Sequence, residues 1–266
     1  MAERKKAAMF FDIDGTLVSD ITESIPESAI KALQMAKENG HEIFINTGRT
    51  LCSVSSGLIE IGFDGLLCGC GTYIIYHDEE ILDLEIPEKR GYELVDEMFD
   101  CGMTGIAEGN MDIYLPREVT KYKDIEDIRR RRAPWGLGLK KHLEDKDYRY
   151  DKLYVGSDEN SDTKRFFDFV KEDMDIVDRR NGMYEIIQKG YSKATVIEVV
   201  REHLGLSMDQ IYVFGDSSND MEMIQYAEHA IVMGCHDKAL DPYAEYVTDT
   251  VENDGIYKAM KHYGLI

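Results

Sequence analysis

Asp12 and Asp14 stand either side of Ile13, at the end of a short apolar run that opens at Ala7. In a strand, that spacing sends both carboxylates to the same side. Two carboxylates so close repel, and a divalent cation between them removes the conflict. Hard oxygen donors suit magnesium and leave room for a phosphate oxygen. Gly15 then lets the backbone turn sharply and approach a ligand. A second acidic cluster, Asp216 and Asp220 within GDSSND, follows another apolar run, Ile211 to Phe214. In an open parallel sheet both clusters would fall at the carboxyl ends of strands, where such folds bind ligands. Asp216 would then complete the metal site, and Ser217, Ser218 and Asn219 offer donors to a substrate or water.

A phosphate needs donors as well as a cation. Thr47 and Gly48 supply a hydroxyl and a backbone N–H just past a second strand-like run, with Arg49 beside them. Lys193, at a helix start after Gly190, can place an ammonium among the carboxylates and the phosphate. Lys189 is the rival for that role.

The elements that must hold these residues alternate. Ala7 to Ile13 reads as a buried strand. A helix follows from Pro26, with Ile30, Leu33 and Lys37 at helical spacing and Asn39-Gly40 as its stop. His41 to Asn46 is the next strand, completing a parallel βαβ unit, and further strand-like segments lie at Gly65 to Leu67 and Tyr73 to Tyr76. Near the other end, Ser192 caps a helix whose apolar face is Val196, Ile197, Val200 and Leu204, ended by Gly205. The strand Ile211 to Phe214, a helix at Asp220 to Tyr226 and a strand at Ala230 to Met233 follow. This grammar predicts an α/β fold: a Rossmann-like open parallel sheet core, built from residues 1–80 and 189–266.

Residues 81–188 read as an inserted mixed α/β cap domain with its own sheet. Helical patterns run over Glu88 to Phe99, Val119 to Arg131 and Asp162 to Glu172. Strands are expected near Met111 to Leu115, Leu153 to Val155, Ile176 to Asp178 and Met183 to Ile187. The basic run Arg129 to Arg132 reads as a solvated helix end that suits the helix dipole.

Composition narrows the partners. The chain has 266 residues, 43% hydrophobic and 31% charged, with 31 basic against 52 acidic residues and a net charge of -21. Such a charge repels nucleic-acid backbones and anionic membranes, so neither is an expected partner. It also disfavours an anionic metabolite at long range, and a phosphate site therefore requires locally concentrated positive charge. The longest stretch without a charged residue, Gly65 to Tyr76, is short of the ~18 apolar residues of a membrane span. The run Ala7 to Phe11 is too short for a secretion signal, and a cytoplasmic protein is expected. Five cysteines without a disulfide spacing read as reduced thiols, and the Cys68-x-Cys70 pair as core packing rather than zinc.

FFDIDGTL, INTGRT, KGYSKATVI and GDSSNDMEM together resemble the four ordered motifs of the haloacid dehalogenase-like hydrolase superfamily. The insertion between the second and third motifs is similar to a class IIB cap, and KGYSK followed by GDSSND to the cofactor-type sugar-phosphatase branch. The resemblance implies that Asp12 is the nucleophile and Asp14 the general acid and base. It makes Thr47 and Lys193 the phosphate-positioning pair, with Gly48 and Asn219 also on the phosphate side. Asp216 becomes a magnesium ligand with Asp12 and the Asp14 backbone carbonyl, while Asp220 and Asn219 orient the site. Where many relatives resemble S-N-G-A, this chain has Cys70 at the asparagine position. The implied reaction is magnesium-dependent hydrolysis of a small phosphorylated metabolite, a sugar phosphate or phosphorylated cofactor, through an aspartyl-phosphate. A phosphomutase using the same Asp12, or a non-catalytic metabolite-binding module, are the alternatives. The sequence does not specify an oligomeric state.

Overall fold

A computed structural model of the chain describes residues 5–266. In chain order the elements are β1 (Ala8–Phe11), α1 (Glu27–Glu38), β2 (Glu42–Asn46), α2 (Ser56–Ile59), β3 (Gly65–Cys68), β4 (Tyr73–Tyr76) and β5 (Glu79–Asp83). There follow α3 (Glu88–Asp100), β6 (Thr104–Glu108), β7 (Ile113–Tyr114), α4 (Lys123–Arg132), β8 (Lys152–Gly156), α5 (Thr163–Val170), β9 (Met174–Asp178) and β10 (Met183–Gln188). The last are α6 (Lys193–Leu204), β11 (Ile211–Gly215), α7 (Met221–Tyr226), β12 (His229–Val232), β13 (Tyr246–Val247) and α8 (Gly255–His262). These fall into two compact units: one comprises Met1–Gly48, Ser56–Leu82 and Ser192–Ile266, the other Arg49–Ser55 and Asp83–Tyr191. The fold is the expected Rossmann-like core with an inserted mixed α/β cap.

The first unit is built on a sheet in the order β13-β12-β11-β1-β2-β3-β4-β5. From β13 to β3 neighbours run parallel, and β4 returns antiparallel to β3. β1, β2 and β3 are buried along their whole length, which is why they read as continuous apolar runs rather than alternating ones. Phe10 stacks on Phe44 at 4.9 Å and Phe11 on Phe214 at 4.4 Å, so successive residues of β1 fill the core on opposite faces of the sheet. Val196, Ile197 and Val200 of α6 join the Phe10 cluster, each stabilising the fold by roughly 1.5–3 kcal/mol. Ser192 caps α6 by accepting from Ala194 and Thr195, and Gly205 ends it at φ +65°.

The second unit has its own sheet, β7-β6-β8-β10-β9, antiparallel at every pairing. One face packs Leu153, Val155 and Ile186 against Leu94, Met98 and Phe166 of α3 and α5. The other carries Ile106, Met183 and Tyr154, against which Ile125 and Ile128 of α4 and Cys52 pack. Two expectations differ in detail. The helix read from Val119 begins only at Lys123, because Val119 is exposed and Thr120 and Tyr122 form a hydroxyl-closed turn before it. The strand read over Met111 to Leu115 shrinks to β7. β6 and α8 were not read at all. Arg49–Ser55, a short excursion, belongs with the second unit, a division the sequence does not advertise.

Candidate active site

The site grows from one strand pairing. β1 lies beside β11, with Phe11 opposite Phe214, and the Asp12 N–H donates to the Phe214 carbonyl at 3.0 Å. Asp12 and Asp216 therefore leave adjacent strand ends together. β2 flanks β1 on the other side, with Ile45 opposite Phe11, so Thr47 and Gly48 emerge from the same edge of the sheet.

Asp12 is 3% exposed. Carboxylate oxygens of Asp12, Asp216 and Asp220 lie within 4.8 Å of one another. Lys193 stands among them, 2% exposed, donating to Asp12 Oδ1 and Asp220 Oδ1, each at 2.6 Å. It is the first residue of α6, where the helix carries only about half a positive charge. The two aspartates outweigh that repulsion. Burial alone would lower the Lys193 pKa, but the two aspartates raise it, and the ammonium stays charged.

The oxygens are divided among distinct tasks. Asp220 commits both: Oδ1 to Lys193, and Oδ2 to the backbone N–H groups of Asp216 and Ser217 at 2.9 and 3.1 Å. It is thus an orienting group for the loop and for Lys193. Asp216 receives Thr16 Oγ1 on Oδ1 at 2.8 Å. Burial, then repulsion from Asp220, pushes the Asp216 carboxyl up to about 8. Burial likewise raises Asp12 to about 7, against the pull of Lys193. Carboxylates held this far above their usual range, in a pocket of hard oxygen donors, suit a divalent cation that would restore their charge.

Asp14 departs from the equal-sided arrangement expected of a strand. β1 ends at Phe11 and a turn begins, closed by an isolated bridge from Asp14 to Val18. Asp12 therefore points inward while the Asp14 side chain is exposed and outside the carboxylate trio. Gly15 takes φ +77°, and any β-carbon there would collide with the Asp216 carboxylate. Thr47 is buried, its N–H on the Leu67 carbonyl at 2.8 Å, and Gly48 is half-buried beside it. Asn219 accepts from the Ser217 hydroxyl. Lys189, the rival lysine, is exposed and reaches the Lys171 carbonyl.

Two residues escaped the sequence reading. Thr16 holds Asp216; its position directly after Gly15, in the same loop as Asp12, was the available signal. Asn46 donates to the Lys193 carbonyl at 2.9 Å from the end of β2, and nothing in its surroundings in the chain marks it. Cys70 lies at φ +58°, the left-handed region that favours asparagine or glycine. Its thiol approaches the Gly48 carbonyl at 3.9 Å.

The sequence matches the haloacid dehalogenase-like hydrolase family over residues 9–260, and the chain belongs to that family. It is similar to the Bacillus subtilis (strain 168) protein named "Putative phosphatase YkrA", 28% identical over 97% of this chain and 98% of that one. The 5-amino-6-(5-phospho-D-ribitylamino)uracil phosphatase YitU of the same organism is 23% identical over 98% of both. A solved subclass IIB sugar phosphatase of the superfamily superposes with a TM-score of 0.81 at 27% identity, covering 98% of this chain and 100% of that one. The protein is a phosphatase of the haloacid dehalogenase-like family. No helix among the described residues is long and apolar enough to cross a membrane.

Proposed function

We propose that the protein hydrolyses a small phosphorylated metabolite, a sugar phosphate or a phosphorylated cofactor, in two steps through Asp12. The carrying observation is the buried Asp12 carboxylate, held at 2.6 Å by a buried ammonium and set beside Asp216 at adjacent strand ends. Asp12 attacks phosphorus, the bond to the ester oxygen breaks, and Asp14 gives its proton to the departing alcohol. Asp14, now a carboxylate, takes a proton from water as that water attacks the aspartyl-phosphate; orthophosphate leaves and Asp12 is restored. The exposure of Asp14 suits a group that must meet both a leaving group and water.

Lys193 and the Thr47–Gly48 edge hold the phosphoryl oxygens, with Asn219 on the same side. Asp12, Asp216 and the Asp14 backbone carbonyl are the ligands for magnesium, and Asp220 holds the loop behind them. Bound there, magnesium would offset charge on the transferring phosphoryl group. The substrate class is supported by the likeness to a sugar phosphatase and to a phosphatase of a ribityl phosphate.

The test is phosphate release across a panel of sugar phosphates and phosphorylated cofactors, with and without magnesium, for the parent and Asp12→Asn. The amide matches the carboxylate in shape but is a poor nucleophile. A folded Asp12→Asn protein that keeps more than a small fraction of parental turnover would sink the assignment.

A further inference from the structure

Asn46 closes β2 and is fully buried. It lies two residues past Phe44 on the same face of the sheet, and Phe44 belongs to the apolar cluster that also holds Val196, Ile197 and Met223. Core packing alone would put an aliphatic side chain there. The amide makes two contacts, both through Nδ2, to the Lys193 carbonyl at 2.9 Å and to Met223 Sδ at 3.5 Å. Among the described residues Oδ1 has no hydrogen-bond partner. Those two acceptors set the orientation, since a turned amide would press Oδ1 against the Lys193 carbonyl oxygen. An acceptor is thus desolvated and left unpaired, which costs stability that a hydrocarbon of similar shape would keep.

The bond is not needed to finish α6. Ser192 already caps the first turn through Ala194 and Thr195, and Lys193, as the first helical residue, has its carbonyl within the helical ladder. A carbonyl carries two lone pairs, and Asn46 takes the second. What the bond adds is a tie between the end of β2 and the start of α6. On one side of the tie, Thr47 and Gly48 follow Asn46 directly in the chain. On the other, the Lys193 ammonium lies 2.6 Å from Asp12 Oδ1 and from Asp220 Oδ1. That ammonium sits at the end of a flexible four-carbon stem, so it is placed only as well as the backbone beneath it is held.

We infer that Asn46 is a positioning residue for Lys193: it sets the start of α6 against the end of β2, so that the ammonium and the Thr47–Gly48 edge keep a fixed spacing around a phosphoryl group. The phosphoryl group rests on the reading given under Proposed function; the tie to Lys193 does not. Neither hydrogen bond of Asn46 goes to a carboxylate of the site, and its effect reaches the chemistry only through Lys193. A misplacement of about 1 Å is enough to slow a reaction by orders of magnitude.

Asn46→Leu removes the donor and the unpaired acceptor together at similar volume, and Asn46→Ala does the same should the leucine branch not fit. In the full-length protein with magnesium and one good substrate, kcat of the folded variant should fall about 10-fold or more. In a Lys193→Met background the same substitution should cost less than about 2-fold, because its route to the chemistry is gone. Asn46→Ser keeps a donor on a shorter arm and should recover part of the loss. Equal losses in both backgrounds, or a parental kcat in the folded Asn46 variants, overturn the inference. A second arm needs no turnover. In metal-free protein whose lysines carry a carbon-13 label at Cε, the Lys193 signal is assigned by its loss in Lys193→Met. It should stand apart from those of the exposed lysines in the parent and move toward them in Asn46→Leu or Asn46→Ala; a signal that stays in place overturns the inference. If the parent releases phosphate from no ester, the phosphatase reading fails while this arm still decides the tie.

Discussion

Replacing Lys193 by Met keeps most of the side-chain volume but removes the one ammonium, among the described residues, that is hydrogen-bonded to Asp12 and Asp220. The pocket then holds three carboxylates within 4.8 Å of one another and no lysine among them. Taking one partner from a buried ion pair costs about 3–5 kcal/mol, because the other charge remains desolvated. Part of that cost can be escaped by protonation, since Asp12 is already raised to about 7 and loses the lysine that holds it down. The metal-free variant should therefore melt about 10 °C below the parent near neutral pH, on the scale of a few degrees per kcal/mol. The gap should be widest above pH 8 and narrow as pH falls through 8 and 7, where Asp216 and Asp12 take up protons. Magnesium should recover some stability but not turnover. Charge on the phosphoryl group would lose a preorganised stabiliser, a loss of about 100- to 1,000-fold in kcat. Lys189→Ala is the control: Lys189 is exposed, and its loss should act on substrate affinity or do little. Scanning calorimetry with and without magnesium, and steady-state kinetics on one good substrate, decide the matter. Near-normal turnover in Lys193→Met together with a severe defect in Lys189→Ala would refute the reasoning outright.

Magnesium at 100 times its Kd should stabilise the parent by about 2.7 kcal/mol, and Asp216→Asn should remove most of that shift; full activity in excess chelator would contradict the metal assignment. Glu185 is buried, which alone would raise its pKa, yet Lys152 and Arg179 hold it down to about 2. Its stabilisation is complete above the unfolded value near 4.3 and is lost as pH falls toward 2, a contribution of about 3 kcal/mol. Glu185→Gln should flatten the acid limb of the melting curve in that window, and an unchanged limb would show that other groups govern it. Cys70→Asn should raise the melting temperature, by about 0.5–1 kcal/mol in stability, because asparagine tolerates the φ of +58° better. A lower melting temperature would show that the thiol's contact with Gly48 outweighs the backbone preference.

The core was legible because its strands are buried on both faces. AMFF and EIFIN cannot be amphipathic, and runs of that kind separated by a helix with one buried face leave few alternatives to a parallel sheet. The second unit was harder for the opposite reason. β6 is Thr-Gly-Ile-Ala-Glu, with one large apolar residue, and its place in the sheet depends on β8 and β7 rather than on its own pattern. In the site, residue types were readable but their directions were not. Alternation places Asp12 and Asp14 on one side only while the strand lasts, and the strand stops one residue before Asp12. What the turn does instead is fixed by Gly15 and by the bridge from Asp14 to Val18, both matters of backbone geometry. Thr16 and Asn46 act on groups distant in sequence, the Asp216 carboxylate just past β11 and the Lys193 carbonyl at the start of α6, so local spacing carries no trace of their partners.

A net charge of -21 looks ill suited to a phosphate ester, but it describes the whole surface, and long-range repulsion is screened within about 8 Å at physiological salt. Binding is decided inside that distance. Lys193 is buried where its charge is least screened, and Asp220 spends both oxygens on Lys193 and on two backbone N–H groups, leaving it no oxygen uncommitted to turn toward an anion. The acidic surface therefore sharpens discrimination: an anion gains little by approaching at random and gains most where a buried cation is already held in place, as Lys193 is.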